Sequence, residues 1–131
     1  MSLPLEYEVT LPTGEKFSQP AGLFINNEFV KSISGKTLDS INPSTGEVNG
    51  SVYAAEAEDV DVAVDAGREA FKSWKKLTGV ERGKLLFKFA DLLEKELDLI
   101  SAIEAWDSGK TKAQNAFYDI EETVAVFRYY A

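Results

Sequence analysis

From Glu56 onward, apolar residues recur at the spacing of helices. Val60, Val64, Gly67, Phe71 and Trp74 stand four, three, four and three residues apart, which draws one stripe of an amphipathic helix. Asp59 and Asp61 suit the positive amino-terminal end of that helix. Lys72, Lys75 and Lys76 suit its negative carboxy-terminal end. Thr78-Gly79-Val80-Glu81 then spells a capping box, a hydroxyl at the cap and a carboxylate three residues on. A second stripe runs through Leu85, Phe89, Leu92, Leu93, Glu96 or Leu97, Ile100 and Ile103, with a break expected near Leu97–Asp98. Within it, Asp91 and Lys95 stand at (i, i+4) in the favourable order. A third helical segment, roughly 112–130, carries Ala113, Ala116 or Phe117, Ile120, Val124, Phe127 and Tyr130. Tyr129 and Tyr130 are expected as buried aromatics at its end, with stacking on a ligand as the less common alternative.

Before Glu56 the pattern is one of strands and turns. Leu23–Ile25 and Phe29–Val30 flank Asn26-Asn27-Glu28, and asparagine tolerates the left-handed conformation of a tight turn, so a β-hairpin is predicted. Residues 36–41 and 48–55 are strand candidates on either side of Asn42-Pro43-Ser44-Thr45-Gly46-Glu47, a run of turn formers. Residues 1–22 show little periodicity and read as a loosely attached arm. The chain thus divides into an arm (1–22), a hairpin-and-strand region (23–55) and a helical region (56–131). Three helices, a hairpin and two further strands make part of a larger α/β domain, and the apolar run Val126, Phe127, Tyr129, Tyr130 at the last helix is expected to dock on something.

Composition narrows the chemistry. The chain has 131 residues, 44% of them hydrophobic, enough for one ordinary core. Twenty-two acidic against 14 basic residues give a net charge of -8, which argues against nucleic acid as partner. No apolar run is long enough for a membrane helix. The first residues carry neither a secretion signal nor an Arg-rich transit peptide, so a cytoplasmic location is expected, with a mitochondrial one open if a presequence has been removed. There is no Cys and no His, so Ser-His-Asp and Cys-His catalysis are excluded within these residues, as are thiolate metal sites.

Ser108-Gly109-Lys110-Thr111 resembles the tail of a phosphate-binding loop. Such a loop needs a glycine five residues before Gly109, and that position is Glu104, whose carboxylate repels phosphate. The preceding residues are helical by period, so Gly109 is read as a left-handed helix cap, Lys110 as a charge opposing the helix dipole, and Thr111 as the cap of the next helix. No G-x-G-x-x-G occurs. Glu56, Glu58, Asp59 and Asp61 lack the spacing of a calcium loop and are read as a solvated helix start.

Taken in order, GLFINNEFV, GKTLDSINPSTGEV, EDVDVAVDAGREAF, ERGKLLFKFADLLEKELDLISAIEAWDSGK and RYYA resemble the amino-terminal portion of an aldehyde dehydrogenase, in the style of fungal NAD(P)-dependent enzymes, from about Pro20 to Ala131. The resemblance implies the beginning of a Rossmann-like α/β fold in a much longer, homo-oligomeric enzyme. It implies oxidation of aldehydes to carboxylic acids with NAD or NADP, through a Cys nucleophile, a Glu base and an Asn oxyanion donor. The matching residues include none of these groups, so no catalytic or cofactor residue is carried over, and these residues alone are expected to be inactive. The resemblance does carry over a monovalent cation, Na⁺ or K⁺, held by the backbone carbonyl of Ile41 and the carboxylate of Asp107. Here Ser108 and Trp106 stand where Asn and Leu are usual, and a helix-end hydrogen-bond acceptor is the alternative role for Asp107. The alternative for the whole is a non-catalytic module that docks on a full-length partner.

Overall fold

The computed structural model describes residues 2–131. The chain falls into two compact units, one made of residues up to Ile41 together with Thr45–Trp74, the other of Asn42–Ser44 together with Lys75–Ala131.

The first unit holds three antiparallel strand pairs and one helix: β1 (Glu6–Thr10), β2 (Lys16–Pro20), β3 (Leu23–Ile25), β4 (Glu28–Val30), β5 (Thr37–Ile41), β6 (Val48–Tyr53) and α1 (Ala57–Trp74). The β3–β4 turn is the one the asparagines predict. Asn26 and Asn27 take φ of 53° and 64°, the left-handed pair that a two-residue hairpin turn demands. Phe24 and Phe29 face each other across it with ring centroids 4.9 Å apart. β5 and β6 also pair as the strand candidates predict, from Thr37 opposite Tyr53 to Ile41 opposite Val48, with a bulge between Ser40 and Ile41.

The amino-terminal segment departs from the loose arm expected of it. Residues Glu6–Thr10 and Lys16–Pro20 form a regular hairpin, Val9 opposite Phe17, and Glu8 pairs with Lys16 at 2.7 Å. Val9 and Leu11 bury their side chains with Ala21 and Tyr53, the small apolar core of this unit. Alternation at Tyr7, Val9 and Leu11 is the period-two signal of a half-buried strand.

The start of α1 differs as well. Asp59 is buried rather than solvated. Its Oδ1 accepts the Ile33 N–H at 2.9 Å and its Oδ2 accepts the Glu56 N–H at 2.9 Å, so one carboxylate ties the loop before β5 to the helix entrance. The stripe that defines α1 stays uncovered: Val60, Val64, Phe71 and Trp74 are all exposed, Phe71 to 57%.

The second unit is helical: α2 (Gly79–Lys95), α3 (Leu97–Ser108), a π-helical turn (Lys112–Ala116) and α4 (Phe117–Tyr130). The capping box forms as its sequence predicts. Thr78 Oγ1 accepts the Glu81 N–H at 3.2 Å, and Glu81 Oε2 accepts the Thr78 N–H at 2.7 Å. The second stripe breaks at Glu96, whose φ of -100° and ψ of 13° depart from the helix, so two helices stand where one long stripe is written. The core is built of small residues, Ala90, Ala102 and Ala116 with Val124, which lets helix backbones approach closely. Gly83 belongs to the same device, because a Cβ there would run into the Ala131 carbonyl. Phe89 and Phe127 meet edge to face at 4.8 Å. Ser101, fully buried, donates its hydroxyl to the Leu97 carbonyl at 2.6 Å.

Two expectations in this unit are corrected. Asp91 does not pair with Lys95; it takes Arg128 at 2.9 Å, and Glu94 takes the same guanidinium at 2.6 Å, while Lys95 pairs with Glu96. The planar fork of arginine reaches two carboxylates of a neighbouring helix, which an ammonium one turn away cannot match. Tyr129 and Tyr130 are not buried. They are 82% and 74% exposed and pack edge to face on each other; Tyr129 falls roughly on the opposite side of the helix from Phe127, which takes the inward position. Among the described residues no helix is long and apolar enough to cross a membrane.

Candidate functional site

The chemistry-bearing stretch of the second unit is the junction from Glu104 to Asp119. Gly109 closes α3 in the left-handed conformation, φ 76° and ψ 7°, and donates its N–H to the Ala105 carbonyl at 3.0 Å. Its lack of a side chain is also needed for packing, since a Cβ would stand 2.8 Å from Pro43 Cγ. Pro43 sits in a turn where Asn42, buried, accepts the Ser44 N–H at 2.8 Å.

Lys110 is held between two carboxylates, Asp119 at 2.8 Å and Glu104 at 3.2 Å. The bond to Asp119, then that to Glu104, raises its pKa above the ordinary lysine value. Thr111 stands in extended conformation at the entrance to the π turn, but its hydroxyl donates to Asn115 Oδ1 at 2.8 Å and caps no backbone group. Its carbonyl instead accepts two N–H groups, those of Asn115 and Ala116, both at 3.1 Å. That shared acceptor widens the turn to a π-helical one. Lys112 is paired with Asp98 at 2.8 Å.

This arrangement does not fit a nucleotide phosphate. The Gly109 N–H is spent on a helix cap, the lysine is neutralised by two carboxylates, and Glu104 adds negative charge where a cradle needs backbone donors. The junction is a helix-to-helix connection, as the glutamate at 104 predicts.

The two candidate cation ligands lie at element ends. Ile41 is the last residue of β5, just past the bulge. Asp107 lies in the last turn of α3, next to Ser108, whose hydroxyl donates to the Glu104 carbonyl at 2.6 Å. A hard cation takes about six oxygen ligands. Ile41 and Asp107 offer one carbonyl and one carboxylate, and among the described residues no group of three or more His, Cys, Asp or Glu could hold a metal ion. Two donors fall short of a ligand set, so no role is assigned to an ion.

The remaining conspicuous surface is apolar. In addition to the α1 stripe of the first unit, Val80, Leu85, Phe87, Leu92 and Val126 of the second unit are exposed. Contiguous exposed apolar surface marks sites of interaction.

The family model for the aldehyde dehydrogenase family matches residues 29–131. The chain belongs to the aldehyde dehydrogenase family. It is 55% identical over 122 residues to an aldehyde dehydrogenase of Alternaria alternata, covering 92% of this chain and 24% of that protein. An aldehyde dehydrogenase [NAD(P)+] 2 of Saccharomyces cerevisiae is 46% identical over 114 residues, 86% of this chain and 22% of that one. Among solved structures, a variant of Bacillus cereus aldehyde dehydrogenase superposes with a TM-score of 0.80 at 42% identity, over 85% of this chain and 23% of that one. Betaine aldehyde dehydrogenase of Staphylococcus aureus in complex with NAD+ gives 0.80 at 32% identity, over 83% and 22%. The chain therefore spans about a quarter of the length of these relatives, and it carries the amino-terminal part of the aldehyde dehydrogenase α/β fold.

Sequence reasoning located the ends of the helices around this junction and missed the polar contacts that organise the first unit. Asp59 was legible only as a helix-start acid, and Tyr7, whose hydroxyl accepts the Ser51 N–H and donates to the Ser51 carbonyl, both at 2.9 Å, leaves no periodic trace of that partner.

Proposed function

We propose that these residues are the amino-terminal segment of an NAD(P)-dependent aldehyde dehydrogenase that oxidises aldehydes to carboxylic acids, and that their part in it is architectural. The observation that carries this reading is the match of residues 29–131 to the family, with relatives named as aldehyde dehydrogenases at 45–55% identity. The uncovered apolar stripe of α1 supports it, since a helix with one apolar face is built to lie against a further layer. NAD or NADP and the aldehyde would be held by residues outside this segment. A monovalent cation at Ile41 and Asp107 would likewise need donors from outside it. Assembly of the full-length enzyme as a homo-oligomer in the cytoplasm belongs to the same reading.

The 131-residue chain, purified and given acetaldehyde with NAD or NADP, is expected to produce no reduced nicotinamide, because a sequence without Cys supplies no thiolate for the carbonyl. Reduced cofactor formed above the rate of a protein-free control would overturn the architectural reading. The exposed Tyr129, Tyr130 and α1 stripe also suit a non-catalytic module that docks on a full-length partner. Sequencing the source transcript past codon 131 separates the two. An open frame leading to a Cys nucleophile supports the enzyme, and a stop codon supports the module.

A further inference from the structure

The apolar face of α1 is nearly symmetric about Gly67. Val60 and Trp74 lie seven residues before and after that glycine, Val64 three before it and Phe71 four after it. These four side chains are exposed, as are Ala63 and Ala70 beside them. A Cβ at Gly67 would meet open space. The face is therefore a saddle, low at its centre, with valines at one end and aromatic rings at the other.

The charges on one flank share this symmetry. Asp61, Arg68 and Lys72 stand seven and four residues apart, so they lie on one side of the helix, acidic towards its start and basic towards its end. Lys72 pairs with Glu69 on its own helix, an exposed contact of small worth. Arg68, the charge nearest the centre, is matched by its own Asp65 at 3.2 Å.

Two such helices laid antiparallel across Gly67 bring each residue opposite the one equally far from the glycine on the other side. Trp74 of each copy then lies over Val60 of the other, and Phe71 over Ala63 beside Val64. On the shared flank, Lys72 of each copy comes within one residue's rise, about 1.5 Å, of Asp61 of the other. Large side chains meet small ones and cations meet anions at both ends at once. A parallel pair would instead set Trp74 on Trp74 and Asp61 beside Asp61.

We propose that a second copy of this chain covers α1, in an antiparallel two-fold pair centred on Gly67. The contact is closed by its own symmetry, so it makes dimers and not longer assemblies. A helix of 18 residues is about 27 Å long, and one such pair buries roughly half of the ~800 Å² per partner of a standard interface. The dimer is accordingly weak, dissociated at about 1 µM and predominant near about 1 mM. Pairing of copies and cover of α1 by a further layer of a longer protein exclude each other. The inference thus concerns the 131-residue chain by itself and does not depend on the dehydrogenase reading.

Sedimentation equilibrium of the 131-residue chain at low ionic strength, from about 1 µM to about 1 mM, tests it. The mass is expected to rise from one chain to two and to stop there. Gly67→Gln puts a side chain into the open centre and improves helix propensity, so it keeps the fold and is expected to weaken the dimer more than about tenfold. Asp61→Lys and Lys72→Asp are each expected to weaken it roughly fivefold, since each spoils a contact made twice. The double variant is expected to return to within about twofold of the wild type. The two positions are eleven residues apart on one helix, about 16 Å, so that rescue arises only between copies. Far-UV circular dichroism checks that each variant keeps its helices. A chain still monomeric at about 1 mM overturns the pairing and leaves the face to a different partner. A dimer untouched by Gly67→Gln, a double variant no tighter than the single ones, or masses beyond two chains overturn it as well.

Discussion

Helix α1 and the helical unit of α2, α3 and α4 make an instructive pair. The clearest apolar stripe in the chain belongs to α1, yet its only buried residue is Asp59, and Val60, Val64, Phe71 and Trp74 face outward. The helical unit has weaker stripes but a closed core, because alanines at 90, 102 and 116 and a glycine at 83 let its backbones come together. Periodicity states which face of a helix is apolar; it does not state whether the partner is within reach. Small residues decide that second question here, since they mark where another backbone lies close.

Replacement at Ala90 should give the largest effect. Ala90 is fully buried between packed helices, so Ala90→Leu inserts a branched side chain where no space exists and is expected to cost about 3 kcal/mol. Chemical denaturation of the 131-residue chain measures it, and a variant as stable as the wild type would break the claim that close approach holds this unit. Asp59→Ala comes next, at about 2–3 kcal/mol, because it strands the Ile33 and Glu56 N–H groups together. Asp59→Asn, which keeps one acceptor, should recover part of that loss; equal losses would mean that the hydrogen bonds are not the reason.

The capping box follows at a smaller scale. Thr78→Ala removes the acceptor for the Glu81 N–H and should cost about 1 kcal/mol. The same box sets a pH dependence. Bonds from the Thr78 N–H and then its hydroxyl hold the Glu81 carboxyl below its ordinary value of 4.5. Lys36 does so for Glu56, and Arg128 for Glu94. A lowered folded-state pKa contributes stability above the ordinary value and loses it as pH falls through the lowered one. Lys110, raised by Asp119 and Glu104, behaves in the opposite sense: its contribution is whole below 10.5 and is lost as pH rises through the raised value. Stability should therefore be flat near neutrality and fall on the acid side. Glu81→Gln keeps the box geometry but cannot titrate, so its acid limb in a series of melts should be shallower. An unchanged limb would remove Glu81 from the account.

Local features were legible in the sequence because local physics sets them. Asn26-Asn27 specify their turn, Thr78 to Glu81 their cap, Gly109 its helix end, and the break fell within a residue or two of Glu96. The largest losses were contacts between residues distant in sequence. Arg128 outcompetes Lys95 for Asp91 from 37 positions away, and Tyr7 finds Ser51 across 44. The hairpin of Glu6–Pro20 was hidden because its alternating run is short and bracketed by prolines at 4, 12 and 20. For the candidate site, the phosphate-loop reading failed on one residue, Glu104. Ile41 and Asp107 came from resemblance rather than from any spacing, and the structure adds their positions at the ends of β5 and α3.

The smallest expected effect is the one that bears most directly on the comparison. If the α1 stripe has no cover within these residues, then Phe71→Ala in the 131-residue chain should change stability by no more than about 0.5 kcal/mol. The lost partial contacts of the ring are offset by the better helix propensity of alanine, worth about 0.5 kcal/mol. In a longer protein that covers the stripe, the same substitution removes a buried aromatic and should cost roughly 3–5 kcal/mol. The contrast between the two backgrounds, measured by denaturant unfolding of each, separates a face that is apolar from a face that is partnered. A loss above about 1 kcal/mol in the short chain would mean that α1 already has its partner there, and that periodicity had told more than its exposed residues suggest.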